Sequence, residues 1–198
     1  EPKMSTTFGE ILLAGYERFL SPLLGRTHID VLHADFIQAR GDQDTVSMGH
    51  SRGTLVQKNA FDILSERGFE NERLSVQGVG GALNSGAYIQ SAAKVIKEPL
   101  AVQRQVSFAY LANDPVSVII GGNAGSLTAS LKEFVNVLLK DNSAHSCYGT
   151  GAMGCATIAN PVVGGPVPTN QNPNLIRVIR GDSIFTPAPS VGDLNGND

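Results

Sequence analysis

Gly49-His50-Ser51-Arg52-Gly53 stands between the apolar stretch Val46 to Met48 and the helix-like run Thr54 to Leu64. A serine at the centre of G-x-S-x-G, between a strand and a helix, has the layout of a nucleophile elbow, a tight turn that lifts the serine hydroxyl above the sheet edge. Such a turn forces the serine into a strained backbone conformation. Both glycines are expected to be sterically required, because a Cβ at either position would meet the neighbouring strand or helix.

Working outward, the apolar residues Phe8, Ile11, Leu12, Phe19 and Leu20 follow a 3.6-residue rhythm that stops at Ser21-Pro22, predicting a helix. The rhythm returns at Ile29, Leu32, His33, Phe36 and Ile37, with Thr27 as N-cap and Gly41 as terminator. Thr45 to Met48 reads as a buried strand. Thr54 to Glu66 reads as a helix ended by Gly68, Leu74 to Val79 as a strand, and Asn84 to Lys97 as a helix stopped by Pro99. Gln105 to Leu111 reads as a strand, Leu127 to Leu139 as a helix, and Leu175 to Ile179 as a last, edge strand. Strands alternating with helices predict a compact α/β sandwich whose parallel sheet is covered on both faces. Residues 1–180 are expected to form one domain and 181–198 a tail.

With 198 residues, 41% hydrophobic and 17% charged content and a net charge of −3, the chain lacks the basic bias that suits a nucleic-acid partner. No apolar run approaches the ~20 residues that span a bilayer. The chain begins Glu1-Pro2-Lys3, which is read as a mature product or an excised piece of a larger protein. Cys147 and Cys155 lie eight positions apart in a glycine-rich segment, compatible with a small disulfide loop or with two thiols. Their pattern predicts no metal site.

An elbow serine needs a base to take its proton and a carboxylate to orient that base. Of the four histidines, His28, His33 and His50 precede Ser51 and only His145 follows it. Where the chain order is serine, acid, histidine, His145 is the base. The acid lies between, among Asp62, Asp114 and Asp141. Asp114 is favoured because it follows the carboxyl end of a strand, in Ala112-Asn113-Asp114-Pro115-Val116, where open parallel sheets build their sites. Asp62 is expected on a solvated helix face and Asp141 at a helix end. His50 is expected to pack structurally beside the elbow, and His33 to be a core histidine.

Two glycine-rich stretches have other readings. Gly149-Thr150-Gly151-Ala152-Met153-Gly154 matches G-x-G-x-x-G but follows no strand, so it predicts no dinucleotide site. Gly78-Val79-Gly80-Gly81 lacks the third glycine and is read as a place of close backbone approach. Asp193 to Asp198 resembles a calcium-loop fragment without its closing glutamate.

Ser51 in Gly-His-Ser-Arg-Gly, Asp114 after a strand and a late His145 together resemble the triad of the α/β-hydrolases, particularly lipases and esterases, over about residues 45–146. The stretch from Gly49 to Phe61 is also similar to lipase-like C-terminal domains of large exported bacterial surface proteins, some of them toxins. The resemblance implies an α/β-hydrolase-like sandwich, a serine ester hydrolase of the lipase or phospholipase type, and an acyl-enzyme mechanism without cofactor. It assigns Ser51 as nucleophile, His145 as general base, Asp114 as its partner and the backbone N–H of Arg52 as one oxyanion donor. It further implies an ester or lipid substrate, contact with a membrane surface, export and, for a toxin domain, a neutralising immunity partner. The helix from Phe8 to Leu20 and the glycine-rich segment 141–167 are expected to border an acyl cleft or act as a lid. The chain departs from the family in having no clear strand before Thr45, so the sheet reads as truncated on its N-terminal side and the second oxyanion donor is unassigned. That departure motivates an alternative: a non-catalytic binding module on a degenerate hydrolase scaffold.

Overall fold

Helix α1, His28–Ala39, begins where the sequence supplies a reciprocal cap. Thr27 Oγ1 accepts from the amide of Asp30 at 3.3 Å, and Asp30 Oδ2 accepts from the amide of Thr27 at 2.7 Å. The chain then runs through β1 (Thr45–His50), α2 (Gly53–Glu66), β2 (Leu74–Val79), α3 (Ser85–Ala93), α4 (Pro99–Gln105), β3 (Val106–Leu111), α5 (Leu127–Lys140) and β4 (Ile176–Arg180). This is a computed structural model that describes residues 25–140, 144–146, 148 and 176–181, together with positions 9, 13, 15, 16, 18 and 19. Those single positions are helical, in line with the first predicted helix. Asp141, Cys147, Cys155, the 149–154 glycine motif and the residues beyond Gly181 lie outside the described residues.

The fold is of the α/β class, a short and mostly parallel sheet covered by helices. Its strand order is β1-β2-β3-β4. Thr45 pairs with Leu74 and His50 with Val79, both strands running parallel, and β2 pairs parallel with β3 from Val76 opposite Val106. β4 runs antiparallel on the far edge, Phe108 opposite Ile179. Among the described residues no strand precedes β1, which forms the other edge.

The core lies between the sheet and helices α2 and α3. Phe61, Tyr88, Phe108 and Tyr110 form a run of ring contacts with centroids 6.2, 5.2 and 6.1 Å apart, joining α2, α3 and β3. Tilted and edge-on pairs of this kind each contribute about 0.5–1.5 kcal/mol beyond their buried area. A polar string threads the same core. Tyr88 donates its hydroxyl to Gln57 Oε1 at 2.8 Å, Gln57 Nε2 donates to Ser47 Oγ at 2.7 Å, and Ser47 Oγ lies 3.1 Å from His33 Nε2. The string ties the edge strand to α1, α2 and α3, so His33 is half-buried and bonded within the core, as its place on an apolar stripe suggests.

Three local expectations need correction. The first strand is half-buried rather than buried: it alternates, with Thr45, Ser47 and Gly49 inward and Val46 and Met48 58% and 57% exposed. An edge strand lacks a neighbour on one side, so its outer face at Val46 and Met48 stays open, whereas Gln77, Val79, Ala109 and Leu111 on the same face of β2 and β3 are buried. Secondly, Pro99 does not stop the preceding helix. That helix ends at Ala93, and Pro99 opens α4, with Glu98 as N-cap accepting from the amide of Leu100 at 3.0 Å. Proline suits the first helical turn, where its missing N–H removes nothing. Thirdly, Gly53 has no steric task, since a Cβ there would meet nothing within 4 Å.

Candidate active site

Ser51 is the sole non-glycine residue with positive φ among the described residues, at 54°. An L-residue in this region is strained, and the strain persists only where surrounding bonds hold it. They do. The amide of Ser51 donates to the carbonyl of Val79 at 3.0 Å, extending the β1–β2 ladder, and its carbonyl accepts from the amide and hydroxyl of Thr54 at 3.1 and 2.7 Å. Thr54 thereby does the work of a side-chain cap, which α2 lacks at Arg52. Gly49 is required: its missing Cβ leaves room for the Gln57 amide and lies 2.9 Å from the backbone of Gly53.

Asp114 is fully buried just beyond β3, where its Oδ1 accepts from the amides of Val116 and Ser117 at 2.8 and 3.4 Å, and Oδ2 from the Ser117 hydroxyl at 3.1 Å. One turn of π-helix, Val116–Ile120, follows, and its first two residues, Val116 and Ser117, make these contacts to the carboxylate. His145 sits on a 3₁₀ turn, Ala144–Ser146, after α5. The turn is anchored to α5 through the amide of Ala144, which donates to Glu133 Oε2 at 3.0 Å. His145 is 4% exposed.

These three residues converge. His145 Nε2 lies 2.8 Å from Ser51 Oγ, and its Nδ1 lies 3.1 Å from both carboxylate oxygens of Asp114. With the ring proton on Nδ1, facing the carboxylate, Nε2 is left to accept the serine proton. Burial alone would raise the Asp114 pKa, but the charge and hydrogen bond of His145, the Tyr148 phenol and the Val116 amide outweigh it and hold the carboxyl below its usual value. An imidazole between a hydroxyl and a buried carboxylate is the arrangement that general-base activation of the hydroxyl needs.

Two further residues complete the surroundings, and one was not legible as part of the site. Tyr148 donates its hydroxyl to Asp114 Oδ2 at 2.6 Å while accepting from the amide of Leu111 at 2.8 Å. Burial, then the Asp114 charge, push its phenol well above the usual tyrosine range, so it remains a donor. Its ring occupies the space a Cβ on Gly80 would fill, 2.5 Å from that position, and Gly80 itself has φ of 55°. The glycine-rich stretch after β2 therefore allows close approach, as read. The one sequence signal for Tyr148 is its position three residues after His145. His50 stacks on His145, with ring centroids 5.0 Å apart and planes at 21°, while its outer side stays exposed. Desolvation of the covered face, then the His145 charge, lower its pKa.

Asp62 is elsewhere. It bonds Lys58 and Lys94 at 2.7 and 2.8 Å and accepts from the Ser91 hydroxyl at 3.2 Å, pinning α2 to α3. The expected solvated residue is thus a partly buried ionic anchor, because α3 covers that side of α2. Burial would raise its pKa, but the two lysines outweigh this and lower it. Arg52 stands at the N-cap of α2, the positive end of the helix, directly after Ser51. No group of metal-ligating side chains occurs among the described residues. No described helix is long and apolar enough to cross a membrane. Comparison of the chain with protein-family models, curated proteins and solved structures finds no match.

Proposed function

We propose that the protein is a serine hydrolase that cleaves carboxylic esters through an acyl-enzyme. The observation that supports this most is the convergence of Ser51, His145 and Asp114, from positions as far apart as 94 residues in sequence, at hydrogen-bond distances on a strained turn. In the first step Ser51 Oγ bonds to the ester carbonyl carbon while its proton passes to His145 Nε2. As the carbon–oxygen ester bond breaks, His145 returns the proton to the departing alcohol. Water then repeats the sequence against the acyl-serine, releasing the carboxylic acid and restoring the serine. Asp114 stabilises the imidazolium in both halves. The amide of Arg52, at the positive end of α2, supplies one oxyanion donor, a contribution of about 2.7–4 kcal/mol where such donors have been removed.

A lipid or phospholipid substrate, a toxin role and a neutralising partner rest on the resemblance of residues 49–61 and on the elbow alone. The test is hydrolysis of carboxylic esters by the purified protein. Ser51→Ala and His145→Ala are each expected to lower kcat by about 10⁴–10⁶-fold. A binding module on a hydrolase scaffold predicts instead a folded protein with no ester turnover at all.

A further inference from the structure

Beside the elbow lies a cavity of about 180 Å³ whose walls include Leu13, Tyr16, Ile29, Arg52, Leu55 and Val56. Its α2 wall is one helical face. Arg52, Leu55, Val56 and Asn59 follow the spacing of residues that share a side, so this wall begins one residue after Ser51 and extends roughly 10 Å down the helix at ~1.5 Å per residue. The opposite walls come from α1 and from the helical positions 13 and 16.

The chemistry of the lining favours an apolar occupant. Leucine, isoleucine, valine and the ring of Tyr16 dominate it. Of the two charged residues in the lining, Arg52 is the one next to Ser51 in the chain, and Asp30 is already engaged, accepting from the amide of Thr27 at 2.7 Å and from Asn59 Nδ2 at 3.2 Å. A cationic or hydrogen-bonding ligand would have to break the cap of α1 to use that carboxylate. An alkyl chain would bury its surface against the apolar side chains of the lining, which is favourable.

Size sets the second limit. An apolar cavity of about 150 Å³ takes up benzene, a ring of six carbons, so this one, at about 180 Å³, suits a chain of about six carbons. We propose that this cavity is the acyl subsite, that it selects unbranched acyl groups of about six carbons, and that Val56 is a residue setting their length. The inference rests on the serine-hydrolase reading and narrows its substrate class toward short acyl esters.

The experiment is kcat/KM for p-nitrophenyl esters from acetate to palmitate, with the native chain and with Val56→Phe and Val56→Ala. Each methylene up to about six carbons is expected to raise kcat/KM by about fourfold, followed by a decline. The hexanoate-to-acetate ratio should fall at least tenfold in Val56→Phe, and the optimum should move to longer chains in Val56→Ala. A ratio is used because it cancels any difference in folded fraction. A profile still rising at palmitate, or a ratio unmoved by both substitutions, overturns the proposal.

Hexanoate binding, followed by the valine and leucine methyl resonances, separates the two readings. Saturable shifts at Val56 and Leu55 in the native chain, with the Leu55 shift lost in Val56→Phe, support the cavity as an alkyl site even if no ester is turned over, in which case the hydrolase reading alone fails. Ester turnover with no hexanoate-dependent shift at these methyls sinks the subsite and leaves the hydrolase reading standing.

Discussion

Tyr148 donates its phenolic proton to Oδ2 of Asp114 at 2.6 Å, and its own hydroxyl oxygen accepts at 2.8 Å from the amide of Leu111, the last residue of β3. One side chain thus fastens the segment that carries His145 to the strand end that carries Asp114. In the proposed mechanism its task is to hold the carboxylate, not to touch substrate.

Tyr148→Phe keeps the ring over Gly80 and removes the donor. A hydrogen bond to a charged group contributes about 1.5–3 kcal/mol, so kcat for ester hydrolysis should fall on the order of 10- to 100-fold with KM little changed. The same substitution made in an Asp114→Asn background should cost much less, because the tyrosine acts through that carboxylate. Equal losses in the two backgrounds would mean that Tyr148 supports the fold and not the acid.

Gly49 and Gly53 are formally equivalent in the pentapeptide and should respond oppositely to alanine. At Gly49 a methyl group meets the Gln57 amide inside the polar string and the Gly53 backbone, so Gly49→Ala should destabilise by about 1–3 kcal/mol, the range for overpacking. At Gly53, which opens α2 with clear space around it, alanine should be neutral or stabilising by about 0.4–1 kcal/mol. Urea unfolding of the two variants measures both.

That contrast marks what the sequence could and could not convey. Ser51, Asp114 and His145 were legible because the chemistry constrains order: a single histidine follows the serine, and a single aspartate between them ends a strand. The boundaries of β2 were legible because turn residues bracket a short apolar run. Which glycine was needed was not, since it depends on where Gln57 points. Nor was the open face of β1 legible, because edge position is a property of pairing. The helix opened by Pro99 left a readable signal, Glu98 before a proline, which competes with the reading of proline as a terminator. Tyr148 left almost none, lying in a glycine-rich segment without periodicity.

Stability should fall on the acid side in two stages. His33 and His50 have lowered pKa values, the first through desolvation and the second through desolvation and then the His145 charge. The unfolded chain takes up these protons more readily, so stability is fullest above about pH 6.5, their ordinary value, and declines as pH drops below it. Asp114 is lowered from 3.8, so its contribution is present above that value and is lost as pH falls through its lower folded pKa. Thermal midpoints from pH 8 to pH 3 should trace both stages. His50→Phe, which keeps a ring against His145, should flatten the first, and an unchanged slope would contradict the stacking as an electrostatic contact.

Covalent labelling with a fluorophosphonate tests the central claim most directly, because the reagent reacts with an activated serine whatever the natural substrate. Intact-mass analysis should find one phosphonyl adduct, peptide mapping should place it on Ser51, Ser51→Ala should abolish it and His145→Ala should slow it severely. A folded protein that stays unlabelled, or one labelled equally after Ser51→Ala, would contradict the account.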